Sequence, residues 1–320
     1  MIKKINFYHS LIFFITSIFI SGFVFFRNNS LIVLCLFLIL TIGISHGSLD
    51  NIKGKKLMRF LNIKSTYKFY IGYSLTSLLI ILIWIIIPRN LLLVFFIVAA
   101  YHFGKEDADF LKKEKKTYDV VLYFLKGLAV IVSPLIFHKI ETILIFQSLN
   151  FNISGIIFVE NIFLYILLFF SLISSLFLFL EENIEIKSLM LMDFFSVLIL
   201  NYFLNPVLAF TIYFCFLHSI RHSLSLMLQL NKNLKKSFVL FIKKALPLTI
   251  VTATVYLFSL YFLSNYYELN ESAYKVIFIG LASLTFPHIL LEYLIKKKWN
   301  LILVLYLIKQ KWKIKRLKYF

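Results

Sequence analysis

Residues 206–229 read PVLAFTIYFCFLHSIRHSLSLMLQ. At about 1.5 Å per residue a helix of this length covers roughly 36 Å, enough to cross about 30 Å of hydrocarbon. Most of the run is apolar, but Thr211, Cys215, His218, His222, Ser225 and Gln229 recur at steps of four and three. That spacing lays them along one face of the helix. Hydrocarbon has no hydrogen-bond partner to give, so the stripe has to point into a bundle of other helices. The segment therefore reads as one member of a polytopic membrane bundle.

The rest of the chain supplies the other members. Of its 320 residues, 61% are hydrophobic and 15% charged, with a mean hydropathy of +0.88. A soluble domain is nearer half apolar and a quarter charged. Apolar windows fall at 7–26, 31–49, 68–87, 91–104, 119–136, 157–180, 188–204, 206–229, 245–264 and 273–295. We read these as ten spanning helices of an all-α fold. The segment 299–308 is too short to span, and with the basic tail to residue 320 it is expected to lie along the membrane surface. No repeat, linker or soluble domain interrupts the chain, so 1–320 is expected to form a single membrane domain. Met1-Ile2-Lys3-Lys4 and the apolar run after it resemble a secretory signal. The run is too long, however, and Ser21-Gly22-Phe23-Val24 lacks a small-x-small cleavage pattern, so a retained first helix is expected. Cys35 and Cys215 both lie inside apolar windows and suggest no disulfide framework.

The net charge of +19 points to lipid headgroups and not to nucleic acid, because the basic residues sit in short loops between apolar windows. Of the 34 Lys and Arg, 28 fall in one alternate set of loops and termini; the other set holds only Arg27, Arg89, Lys139 and Lys275. This asymmetry puts both termini in the cytoplasm and calls for an even number of spans.

That topology assigns a depth to each histidine. His9 and His138 fall near membrane surfaces, where solvated or interfacial roles are expected. His46, His102, His218, His222 and His288 fall instead near the cytoplasmic ends of even-numbered windows. His218 and His222, four apart, share a helix face and suit one metal ion. Hydrogen bonding between helices would account for one such histidine, but five at one depth point to function. Imidazole suits Zn, Cu, Fe and Ni alike. Four histidines without a carboxylate would leave a +2 charge uncompensated, a setting suited to activating a neutral molecule such as O₂. Asp50, Asp107, Asp109 and Glu292 are candidates to orient the rings. Arg221, between the two helix histidines, is expected to pair with Glu292, Asp50 or Asp107.

Four motifs then carry a resemblance. His46-Gly47-Ser48-Leu49-Asp50, Tyr101-His102-Phe103-Gly104 with an acid soon after, His218-Ser219-Ile220-Arg221-His222, and Phe286-Pro287-His288 resemble the Brp/Blh family in order and content. These are the bacterial and archaeal β-carotene 15,15′-dioxygenases associated with microbial rhodopsins. The resemblance implies central cleavage of β-carotene, or a related carotenoid, by O₂ into two molecules of retinal. It also implies a non-haem Fe(II) held by His46, His102, His218 and His222, with His288 at a further family position. The implied setting is a multi-pass protein of the bacterial or archaeal cell membrane, its partners being carotenoid, O₂ and lipid, with retinal passed to a rhodopsin. Aromatic residues near the histidines, including Tyr101, Phe103, Tyr213, Phe214, Phe216 and Phe286, are candidates to line a substrate tunnel. Rival readings fit less well. A di-iron desaturase wants more histidines and an adjacent pair. An intramembrane metalloprotease wants glutamate in a His-Glu-x-x-His motif, where this chain has Ser219-Ile220-Arg221. A transporter relaying ions through buried histidines predicts broken helices and an inverted repeat.

Overall fold

In a computed structural model a helix runs through each of the ten apolar windows, and every regular element among the described residues is helical. Those residues are 2–23, 31–108, 111, 117–151, 160–179, 183–231 and 233–317. The side chains of Phe23, His46, Ser48, Gln229, Leu234 and residues 297–317 are outside the description. In chain order the helices are α1 (Ile2–Phe23), α2 (Leu31–Leu38), α3 (Asp50–Phe60), α4 (Tyr67–Ile86), α5 (Pro88–Glu106), α6 (Asp119–Phe137) and α7 (Lys139–Ser148). They continue with α8 (Asn161–Phe177), α9 (Ile184–Phe203), α10 (Pro206–Ile212), α11 (Ile220–Leu230), α12 (Leu234–Leu263) and α13 (Leu269–Leu317). Among the described residues seven helices are long and apolar enough to cross a membrane; Leu31–Gly43 and Asn161–Phe177 are shorter apolar helices.

Two helices lie where charged or external loops are expected. In α3, Gly54, Leu57 and Met58 are buried while Lys55, Lys56 and Arg59 are exposed, so a basic loop by composition is an amphipathic helix by spacing. In α7, Thr142, Ile143, Ile145 and Phe146 are buried. A third difference concerns the C-terminal end. The backbone continues as one helix to Leu317, without the break expected between residues 295 and 299. The side chains of the expected surface segment, 299–308, lie outside the described residues.

Local chemistry explains the boundary at Leu204-Asn205-Pro206. The Asn205 side chain accepts a hydrogen bond from the Leu208 amide at 2.9 Å, and Pro206 occupies the first helical position, where no amide is needed. The α5–α6 crossing depends on two glycines. A methyl group at Gly104 would lie 1.8 Å from the Tyr123 carbonyl oxygen, and one at Gly127 would lie 1.8 Å from that of Ala100. Only bare backbones approach this closely, and the approach sets α5, which carries His102, firmly against α6.

The helices that carry the histidine motifs are irregular where they meet. A π-turn at Ile39–Gly43 and a 3₁₀ stretch at Ile44–Leu49 come after α2, and a second π-turn, Tyr213–Ser219, joins α10 to α11. The two π-turns pack together: the Ser219 hydroxyl donates to the Gly43 carbonyl at 3.1 Å. A methyl on Gly43 would come within 2.7 Å of the Phe214 ring. Each π-turn adds a residue to its helix and rotates the next turn about the axis, a device common at functional sites.

Candidate metal centre at the junction of two cavities

Three helices bring four imidazoles together. His102 from α5, His218 and His222 from the α10–α11 segment, and His288 from α13 are all buried. Ring centroids lie 5.4 Å apart for His102–His218, 5.4 Å for His102–His288 and 6.1 Å for His222–His288. His46 has its backbone on the 3₁₀ stretch just after Gly43; its side chain, and with it the expected role as a ligand, lies outside the described residues.

A carboxylate holds Nδ1 in three of the rings. His218 Nδ1 lies 2.9 Å from Asp107 Oδ1, His222 Nδ1 lies 2.9 Å from Glu106 Oε2, and His288 Nδ1 lies 2.8 Å from Asp50 Oδ2. A proton on Nδ1 donated to a carboxylate leaves Nε2 as the nitrogen with the lone pair, the tautomer a metal requires. The carboxylates are held in turn. The Tyr213 hydroxyl donates to Asp107 Oδ2 at 2.7 Å, and the Tyr73 hydroxyl donates to Asp50 Oδ2 at 2.9 Å. Glu292 lies beside the rings, where its oxygen and the ring nitrogens of His222 and His288 fall within 4.8 Å of one another. Its two oxygens also take Lys53 Nζ at 2.7 Å and Lys105 Nζ at 3.1 Å.

The ligand atoms that converge among the described residues, those of His222, His288 and Glu292, suit a divalent first-row metal without choosing among Fe, Zn, Cu and Ni. The cluster also corrects one expectation: positive charge here is not uncompensated, because Asp107, Glu106 and Asp50 sit one bond beyond the imidazoles. Asp107 and Asp50 stand at hydrogen-bond distance from ring nitrogens of His218 and His288. Glu106, which does the same for His222, is absent from the sequence-based candidates, although it directly precedes Asp107. Asp109 lies outside the described residues.

Two cavities meet at this cluster. One, of about 870 Å³, runs between α5, α6, α7, α10 and α13; the other, of about 1500 Å³, lies between α4, α12 and α13. His102, Phe103, Phe214, Leu281 and Thr285 line both, so His102 stands at the junction, and His288 lines the larger. The smaller cavity is walled largely by aromatic and aliphatic side chains, with Asn201 and Thr142 among the few polar ones.

Comparison with known proteins identifies a family. The family model described as beta-carotene 15,15'-dioxygenase matches residues 37–296. The chain belongs to that family. All four histidine motifs lie inside the matched region. A protein of an uncultured marine bacterium, named beta-carotene 15,15'-dioxygenase, is 28% identical over 266 residues, covering 79% of this chain and 90% of its own length. No solved structure matches.

Within this dioxygenase-family chain, the other expected residues divide. Phe103 and Phe214 line both cavities, and Tyr213 lines the smaller. Tyr101 does not: it packs against a separate cluster built on Ala108, Leu111 and Phe179, because the next residue along the helix, His102, takes the inward face. Phe286 lines neither cavity and packs on the core, its ring 6.5 Å from that of Phe95. Arg221 is a clear correction. It pairs with Asp193 on α9, at 2.5 and 2.9 Å, and donates to Ser10 of α1 at 2.6 Å; its contact with Asp107 is to the carbonyl oxygen, at 3.3 Å. One residue along a helix turns the side chain by about 100°, so Arg221 points away from Glu292 and Asp50. His9 is half-buried, and its Nε2 lies 2.9 Å from the Phe216 carbonyl oxygen.

Proposed function

We propose that the chain is a membrane non-haem iron dioxygenase that cleaves β-carotene at its central 15,15′ double bond into two molecules of retinal. The observation that carries this reading is the imidazole cluster whose His102 stands at the junction of two cavities. A hydrocarbon rod about as long as a bilayer is thick needs room on both sides of the bond that breaks. Each cavity takes one half, and the bond at the junction lies beside the metal. Family membership and the named relative support the same reaction.

In this reading His46, His102, His218 and His222 hold Fe(II), and His288, which is backed by a carboxylate like its neighbours, stands as a further donor. Iron, when bound, supplies the site for activating O₂. One C=C bond breaks and two C=O bonds form, with both oxygen atoms coming from O₂, so the balance needs no other reductant. The chain's own part is to hold the imidazole tautomers through Asp107, Glu106 and Asp50. Phe103 and Phe214 hold the polyene at the junction, fixing which bond reacts. Ten spans with both termini in the cytoplasm of a bacterial or archaeal cell complete the proposal. Retinal would pass through the bilayer to a rhodopsin.

Expression in carotene-accumulating bacteria tests it. The cells should lose their colour and accumulate retinal; intact β-carotene after confirmed membrane expression, with iron and oxygen supplied, overturns the assignment.

A further inference from the structure

The two cavities differ in how they are closed. Among the described residues none that lines the smaller cavity is exposed. The larger is lined by five that are: Tyr70, Ser74 and Leu78 of α4, and Val251 and Val255 of α12. These fall at steps of four, so each set forms a ridge along one helix face, and the two ridges border the same space. Leu78 is 51% exposed, Val251 60% and Val255 57%, although all three line a cavity that reaches His102 and His288. The larger cavity is therefore a cleft bordered by exposed side chains, and the smaller is an arm lined by buried and half-buried ones.

Packing explains the opening. Helix α4 packs on α13, α5 and α3, whereas α12 packs on α11, α13 and the irregular turns after α2. Both lean on α13 from different sides, and the cleft fills the space left between them. Its rim is apolar at Leu78, Val251 and Val255, and these lie near the middle of α4 and α12. In the proposed topology the opening faces hydrocarbon and not water.

We infer that the gap between α4 and α12 is the entrance through which substrate reaches the centre from the bilayer. This rests on the proposed carotenoid substrate. A rod from the lipid slides in one end first, and its leading half passes His102 into the smaller cavity. From Tyr70 to Leu78 the rim spans eight residues, about 12 Å of helix, which admits a ring-terminated chain moving lengthwise or at a slant. Leaving lipid for a cleft whose rim is apolar gains no hydrophobic free energy there, so shape at the rim, more than affinity, governs entry.

The test measures uptake separately from cleavage. Full-length iron-free protein in lipid vesicles is given β-carotene, and binding is followed by the change in carotene absorption; iron-loaded protein is assayed for retinal. Val251→Trp with Val255→Trp, and separately Leu78→Trp, should slow uptake and retinal formation at least tenfold while iron content is unchanged. Ile166→Trp and Phe170→Trp, on the exposed face of α8 far from the cleft, should leave both at the wild-type level. Val255→Ala, which widens the rim, should not slow uptake. Wild-type uptake rates in both sets of rim variants overturn the entrance and leave the cleavage reading intact. Wild-type protein that takes up carotene but forms no retinal overturns the cleavage reading and leaves the entrance standing.

Discussion

Two segments adjacent in sequence meet opposite fates. Pro206–Leu228 and Lys235–Leu263 are both long enough to cross a membrane, with mean hydropathies of 1.3 and 1.8. Yet within the 18-residue apolar stretch of each, 78% of the first is buried inside the protein and only 6% of the second. Hydropathy scarcely separates them; the arrangement of polar atoms does. The first carries His218, Arg221 and His222, which need partners that lipid cannot supply, so other helices surround it. In the second, Lys235, Lys236, Lys243 and Lys244 lie in the first third, and later hydroxyls bond to its own backbone, such as Thr254 to the Ile250 carbonyl and Ser259 to that of Val255. It can therefore face lipid along most of its length and wall a cleft on one side.

Four predictions press on this contrast. The largest effect is expected from His218→Ala and His222→Ala, each of which should abolish retinal formation and bound iron while the protein stays in the membrane. Full activity in either variant removes that residue from the ligand set, and iron analysis beside the retinal assay decides. Next, Arg221→Met leaves Asp193 buried without its cation and should destabilise the fold by about 3–5 kcal/mol. Thermal melting should show the loss, and Arg221→Met with Asp193→Leu should recover much of it; a melting point unchanged in the single variant refutes the pair's structural role.

Third, Asp107→Asn, Glu106→Gln and Asp50→Asn should each weaken metal binding about 10- to 100-fold, with a smaller loss of stability. Metal titration of the apoprotein checks this, and wild-type affinity in all three variants breaks the link between the carboxylates and the centre. The smallest effect belongs to the lipid face of α12. Phe258→Leu and Tyr261→Leu should change stability by less than ~0.5 kcal/mol and leave iron content alone, since both side chains are exposed. A marked loss would show that this face is covered in the membrane.

Much of the site can be read from spacing. The four-residue step from His218 to His222 and the shared depth of His102 and His288 point to a cluster without any helix being placed. Asp50 and Asp107 stand out because they come soon after histidines. Glu106 does not, because two adjacent acids cannot be told apart until the helix end fixes which ring each one faces. Tyr73 and Tyr213, which hold the carboxylates, lie 23 and 106 residues from their partners and leave no local signal. Lys53 and Lys105 look by composition like cytoplasmic loop residues; both in fact grip Glu292 at the edge of the cluster.

What the sequence by itself determined is the all-helical character of the apolar windows and the inward face of the one that carries two histidines. Both come from periodicity and from the cost of polar atoms in hydrocarbon, which act over a few neighbouring residues. Tertiary structure alone decided which helices touch: Arg221 with Asp193, α5 with α6 through Gly104 and Gly127, and the gap left between α4 and α12. Those choices depend on how whole surfaces fit, and a difference of one methyl group at a crossing is enough to change them.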